Sequence, residues 1–220
     1  MQLSRRFGLT VLLSLGWLLG GAASARPQPA ASQPKTVVFF GDSLTYGLGL
    51  EDPATQAYPA LIGQKIAAAH LPWQIVNAGL SGDTTAAGLR RIAWVLRRPI
   101  DLFVLALGAN DGLRGIDPAI TRDNLRGIIA RVRARDPEAT IVLAGMRMPP
   151  SMGADYAAAY AAVFPQVARE ERVVLIPFLL EDVAGRPELN GPDNVHPNAA
   201  GHRLVAATVW QVLRPLLNAD

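Results

Sequence analysis

Ser43 stands in Gly41-Asp42-Ser43, directly after the apolar run Thr36–Phe40. A serine hydroxyl is a weak nucleophile until a base takes its proton, and imidazole is the natural base near neutral pH. The chain has 3 histidines. His70 closes a helical stretch at the far end of a β-α unit, and His202 lies inside the last helical stretch. His196 sits where a loop meets that helix, in "DNVHPN", shortly after the carboxylate of Asp193. Across a turn, this spacing lets Asp193 accept the Nδ1 hydrogen, fix the tautomer and leave Nε2 for a serine. Acyl transfer also needs donors aimed at the developing oxyanion. Three fit: the Ser43 N–H at a helix start, where N–H groups are free; the Gly82 N–H in "NAGLSGDTT"; and the side-chain amide of Asn110 in "GANDG".

Each of these residues also has a plainer reading. Asp42 and Ser43 are both good helix caps. Gly79 and Gly82 suit turns, and Asn110-Asp111-Gly112 is a turn sequence in its own right. His196-Pro197 reads as a helix start with proline at N1, and Asp193 as a brace for that loop. The case for chemistry is their joint placement.

That placement comes from the elements between them. Near-continuous apolar runs at Thr36–Phe40, Gln74–Asn77, Leu102–Leu107, Thr140–Ala144 and Val173–Ile176 read as strands covered on both faces. Helical stretches separate them. Leu89, Ile92, Ala93 and Leu96 fall on one face, as do Leu125, Ile128, Ile129 and Val132. Asp117-Pro118 is a cap followed by proline. Residues 58–69, 154–170 and 197–216 supply further helices. Five β-α units in series predict an α/β fold with a parallel sheet, helices on both faces and right-handed crossovers. Ligands of such sheets bind outside the carboxyl ends of the strands. Ser43, Gly82 and Asn110 follow the first three strands, and after the fifth a Pro/Gly-rich loop leads to Asp193 and His196.

Other chemistries find less support. Asp42, Asp83, Asp111, Asp193 and His196 map to the same edge, so a metal-dependent phosphoesterase is conceivable. However, no H-E-x-x-H or His-x-His spacing is present, and the expectation is no metal and no cofactor. The P-loop, the G-x-G-x-x-G opening and the G-x-S-x-G elbow are all missing.

The chain has 220 residues, half of them hydrophobic and 18% charged, which fits one domain with a substantial core. It has no cysteine, which rules out disulfides and thiolate chemistry. Its charge of +3 falls to +1 without Arg5 and Arg6, leaving 19 Lys and Arg against 18 Asp and Glu. No basic block with interleaved aromatics suggests nucleic acid as a partner. Arg5-Arg6, the apolar stretch Phe7–Gly20 and Ala23-Ser24-Ala25 form a signal peptide over residues 1–25, with an uncleaved anchor as the alternative. Residues 26–34 read as a Pro-rich lead-in and 35–220 as the folded domain. The mature protein is expected to be periplasmic or secreted, without a stable membrane anchor, and a monomer.

The sequence resembles the SGNH, or GDSL, hydrolase family. "FFGDSLTYG" is similar to its first block, "AGLSGDTT" to its second, "LGANDGLRG" to its third and "DNVHPN" to its fifth. The resemblance spans roughly residues 36–216. It implies a flavodoxin-like three-layer α/β/α sandwich with strand order 2-1-3-4-5, and metal-free catalysis. Ser43 would be the nucleophile, Asp193 and His196 its partners, and Ser43, Gly82 and Asn110 the oxyanion donors. "GLRGI" and "GMRMPPSMGADY" are similar to segments of the periplasmic arylesterase, acyl-CoA thioesterase and lysophospholipase branch. They imply small ester or thioester substrates. In this reading Met146–Tyr156, with Met148, Pro149 and Tyr156, forms a mobile apolar wall, with Leu113 and Ile116 opposite; an ordinary rigid loop is the alternative. Two other functions remain open: a carbohydrate O-deacetylase, and a non-catalytic periplasmic binding module.

Overall fold

The computed structural model describes Gln2 and residues 33–218. The expected signal peptide and most of the lead-in lie outside the described residues. Five parallel strands form one sheet: β1 Lys35–Gly41, β2 Trp73–Gly79, β3 Leu102–Ala106, β4 Thr140–Ala144 and β5 Val174–Ile176. Their order is β2-β1-β3-β4-β5. The helices are α1 Ser43–Tyr46, α2 Pro53–Gln56, α3 Tyr58–Ala68, α4 Thr85–Val95, α5 Ala109–Leu113, α6 Pro118–Arg135, α7 Ala154–Glu170 and α8 Ala199–Leu217. α3 packs on α8, while α4 packs on α6 and α6 on α7, giving helical layers around the sheet.

The apolar runs explain the order of the layers. Every residue of β3 is buried, as are Val37–Gly41 of β1. Phe39, Phe40 and Phe103 are fully enclosed, and burial of each contributes about 1.5–3 kcal/mol. β2 and β5 lie at the edges, and β2 carries the polar Gln74 and Asn77. In register, Gly41 faces both Gly79 and Ala106, so β1, β2 and β3 end together. Ser43, the Gly82 loop and Asn110 therefore leave the sheet at one level.

Several boundaries differ from the sequence expectation. β2 runs on to Gly79 instead of stopping at Asn77. A Cβ on Gly79 would run into the backbone of Thr45 and Tyr46, so the missing side chain lets α1 lie against the end of β2. Asn110-Asp111-Gly112 is not a turn but the middle of α5. Pro197 is not at N1: Asn198 is the N-cap of α8, its Oδ1 accepting from the N–H groups of Ala200 and Gly201.

A buried polar strut runs behind the sheet edge. His202 of α8 is 1% exposed, and its Nδ1 accepts the Tyr58 N–H at 3.2 Å. The Tyr58 hydroxyl, itself buried, lies 2.8 Å from Thr45 Oγ1 on α1. Burial first, and the His196 charge second, push the His202 imidazole down from 6.5 to about 4. Between those values the unfolded chain holds more protons than the folded one, so this group's contribution to stability is lost as pH falls. The loss approaches about 3 kcal/mol. Asp42 acts in the opposite sense. Burial raises it from 3.8 to about 7, against the lowering effect of the Leu44 N–H. Its contribution is therefore lost as pH rises through that range. The two groups must be separated by a variant. His202→Asn keeps an acceptor for Tyr58 but does not titrate. The Tm of wild type relative to His202→Asn is expected to drop by several degrees between pH 6.5 and 4, at about 2–4 °C per kcal/mol. Parallel pH profiles in thermal melts would remove His202 as the source.

Candidate active site

The first strand delivers Ser43 without using it as a cap. Asp42 is the N-cap of α1, its Oδ1 accepting the Leu44 N–H at 3.0 Å. Ser43 is thereby left at N1, with its Oγ 2.8 Å from His196 Nε2. His196 Nδ1 lies 2.6 Å from Asp193 Oδ2. Three elements of this arrangement, 153 residues apart at the widest, converge on one edge.

Asp193 does two jobs. Its Oδ1 accepts the N–H groups of Val195 and His196, both at 3.0 Å. These bonds wrap the loop so that Oδ2 meets the imidazole. The His196 N–H, then its ring, then the Val195 N–H hold the carboxyl down at about 2. An ionised carboxylate only accepts, so Nδ1 carries the hydrogen and Nε2 of the neutral ring accepts from Ser43. The Asp193 side chain is half exposed and that of His196 mostly covered. This carboxylate thus works partly in water, unlike the enclosed acid of many serine hydrolases.

The expected oxyanion donors differ in how they relate to the cavity at Ser43 and His196. Among the described residues, the N–H groups of Ser43 and Gly82 have no protein acceptor. Gly82 has a φ of +81°, a left-handed conformation that disfavours other residues by about 1–2 kcal/mol. Asn110 Nδ2 donates to the Asp83 carbonyl at 2.9 Å, which leaves its second N–H for another acceptor. Asn110 lines the same cavity as Ser43 and His196; Gly82 does not line it, and joins Asn110 through the adjacent Asp83.

That cavity measures about 420 Å³ and is mainly apolar, with Leu44, Leu113, Met146, Met148, Pro149, Phe178, Leu180 and Val195 among its walls. Arg147 is its cation, with the guanidinium 4.8 Å over the Phe178 ring and 3.8 Å from Glu181. Of the residues expected to flank a substrate, Leu113, Met148 and Pro149 line the cavity, whereas Ile116 and Tyr156 do not. The Tyr156 hydroxyl is occupied with the carbonyls of Gly112 and Ile116, at 3.2 and 2.8 Å, and ties α7 to the segment after α5.

The other carboxylates of the edge are bound to protein donors. Asp83 forms an ion pair with Arg91. Fully buried Asp111 accepts from the N–H of Thr85 at 2.8 Å and from its hydroxyl, and Asn124 donates to that hydroxyl at 3.1 Å. Among the described residues no group of three or more His, Cys, Asp or Glu is placed to hold a metal ion. Arg91 and Asn124 were not visible as site residues from motifs, and Thr85, the last residue of "AGLSGDTT", was not singled out. The far cavity wall at Phe178 and Leu180 was also missed, because it follows the shortest strand in an irregular segment. For Arg91 a signal existed: helical spacing sets it between Gly88 and Val95, both buried, while Arg90 is exposed.

Comparison with known proteins bears on the family and the fold. The chain is 38% identical over 192 residues to "Esterase TesA" of Pseudomonas aeruginosa, covering 86% of this chain and 92% of the relative. It is 36% identical over 195 residues to "Thioesterase 1/protease 1/lysophospholipase L1" of Escherichia coli strain K12, covering 86% and 88%. A crystal structure of TesA superposes with a TM-score of 0.78 at 37% identity, covering 83% of this chain and 99% of that one. Residues 39–204 match the profile that joins these sequence blocks, and on that match and these relatives the chain belongs to the GDSL-like lipase/acylhydrolase family.

Proposed function

We propose that this protein is a serine hydrolase of carboxylic esters and thioesters, working through an acyl-enzyme on Ser43. The observation that carries the reading is the continuous Ser43–His196–Asp193 chain, with contacts of 2.8 and 2.6 Å, at the wall of an apolar cavity. Ser43 Oγ attacks the carbonyl carbon as its proton passes to His196 Nε2. The oxygen that becomes negative takes hydrogen bonds from the N–H groups of Ser43 and Gly82 and from the Asn110 amide. Asp193 stabilises the imidazolium. Collapse expels the alcohol or thiol, which takes the proton from His196. Water then attacks the acyl-enzyme with His196 again as base, releasing the carboxylic acid and free Ser43.

Relatives named esterase, thioesterase and lysophospholipase support acyl esters and thioesters as substrates. The apolar walls favour an acyl or aryl group over a sugar. The protein partners of Asp83, Asp111 and Asp193 weigh against a metal-dependent phosphoesterase. Residues 1–25 act in this proposal as a signal peptide, delivering a monomer to the periplasm or medium. Among the described residues no helix is long and apolar enough to cross a membrane.

A fluorophosphonate probe followed by peptide mapping tests the reading, together with a panel of p-nitrophenyl esters, acyl-CoA, lysophospholipid and acetylated sugars. Labelling at Ser43 and hydrolysis of acyl substrates are expected. An unlabelled protein would point to a binding module, and turnover lost to a chelator would point to the phosphoesterase.

A further inference from the structure

Arg91 makes an unusual set of contacts for a side chain that touches no part of the cavity. Its Nε–H donates to the Asp83 carboxylate. Its Nη2 donates to the carbonyl of Gly41, at 3.0 Å, and to that of Ala78, at 2.9 Å. Its guanidinium carbon lies 4.0 Å from the centre of the Phe40 ring. One planar cation thus fastens the end of β1, the end of β2 and the residue after Gly82. Gly41 precedes Ser43 by one intervening residue, and the Asp83 carbonyl is the acceptor that holds Asn110. Each expected oxyanion donor is thus linked to a residue that this guanidinium holds: Ser43 lies two residues after Gly41, Gly82 directly precedes Asp83, and Asn110 bonds the Asp83 carbonyl.

We propose that Arg91 is a positioning residue for the oxyanion donors, an inference that rests on the Ser43 acyl-enzyme reading. The physical basis is the fork. A guanidinium satisfies several acceptors in fixed directions and stacks on an aromatic face; a lysine ammonium, though charged, reproduces neither. With lysine at this site Asp83 keeps a cation nearby, but the carbonyls of Gly41 and Ala78 lose their common donor. The Leu80 N–H bond to the Gly41 carbonyl, at 3.0 Å, remains, but the Gly82 loop and the Ser43 turn lose the fork that fixes their relative position. Donors that act on the tetrahedral state lose alignment, while the cavity that binds the acyl group is untouched. Such a change lowers kcat and leaves KM nearly constant.

The test compares Arg91→Lys with Arg90→Lys, the same exchange on an exposed neighbour of the same helix. The assay uses a p-nitrophenyl ester well below the measured Tm of each protein. Arg91→Lys is expected to lower kcat about 10–100-fold, short of the 10²–10³-fold typical of deleting a whole donor, with KM changed less than about 3-fold. The affinity for an alkyl trifluoromethyl ketone, which forms a tetrahedral adduct on serine, should fall by the same factor as kcat/KM. Arg90→Lys should match wild type in both. If Arg91→Lys does not fold, Asp83→Asn removes the charge that orients the guanidinium, and the same parallel loss in kcat and ketone affinity is expected, at about 3–10-fold. A folded variant with wild-type kcat, or a kcat loss without the matching ketone loss, overturns the inference. Ser43→Ala in the same assay separates the two levels: turnover that survives it sinks the acyl-enzyme reading itself, while Ser43-dependent turnover indifferent to position 91 sinks only the role of Arg91.

Discussion

Ser43→Ala is expected to lower kcat on p-nitrophenyl esters by about 10⁶-fold, the order seen when a triad nucleophile is removed alone. The residual rate would come from donors that still polarise the carbonyl for attack by water. The same variant is expected to leave Tm within about 2–4 °C of wild type, equivalent to less than 1 kcal/mol. The structure separates the two effects because the cap of α1 belongs to Asp42, not Ser43. Alanine at N1 is a good helix residue, and among the described residues the only hydrogen bond removed is the one to His196 Nε2, which borders the open cavity. Kinetics and thermal melts on one preparation check both statements. A Tm loss of 10 °C or more would make Ser43 a structural residue, and retained turnover would remove it from the chemistry.

Asp193 gives the second large effect, and its two standard replacements should rank against size. Asp193→Asn can still accept the N–H groups of Val195 and His196 through its oxygen, so the loop keeps its shape. Its amide nitrogen then faces His196 Nδ1 and donates. The ring is forced into the tautomer with hydrogen on Nε2, which cannot accept the Ser43 proton. A kcat loss of about 10⁴-fold is expected. Asp193→Ala removes the brace but imposes no tautomer. Because the site is half open to water, which can take the Nδ1 hydrogen, a smaller loss is expected, about 10²–10³-fold; with the whole acid removed, about 3 × 10⁴-fold is a reference for an enclosed site. Measuring kcat for both variants near neutral pH decides it. Equal losses would mean that the charge of Asp193 matters and its control of the tautomer does not.

How much of this could be read from the residues alone depends on range. β3 and β4 were legible because both of their faces are buried, so hydrophobicity marks almost every position. Asp117-Pro118 opened α6 as expected, because capping is a local matter of a side-chain oxygen and nearby N–H groups. Asn110-Asp111-Gly112 read as a turn because its local propensities favour one. The folded protein overrides them: the stretch is helical, and its Asp111 carboxylate is buried against Thr85, 26 residues away. The joint position of Ser43, Asn110 and His196 followed from parallel strand ends. The tie between α4 and the ends of β1 and β2 was marked only by helical phase, since Arg90 and Arg91 are chemically identical. Ile116 and Tyr156 were placed near the substrate by segment rather than by direction; the hydroxyl of Tyr156 is used in holding backbone carbonyls.

The strut from His202 through Tyr58 to Thr45 gives the site a place in time as well as in space. Asp42 and Ser43 emerge early from a growing chain, with Gly82 and Asn110 soon after them. The imidazole and its carboxylate belong to the final segment, and so does His202, whose bond to Tyr58 spans 144 residues. α1 and α8 are thus joined from behind through α3, independently of the contact between Ser43 and His196. On the proposed chemistry, a chain still being made, or one whose last helix has not docked, carries Ser43 as an ordinary alcohol. Hydrolytic power arrives with the closing of the fold, and the residues that supply the base also report that the molecule is complete.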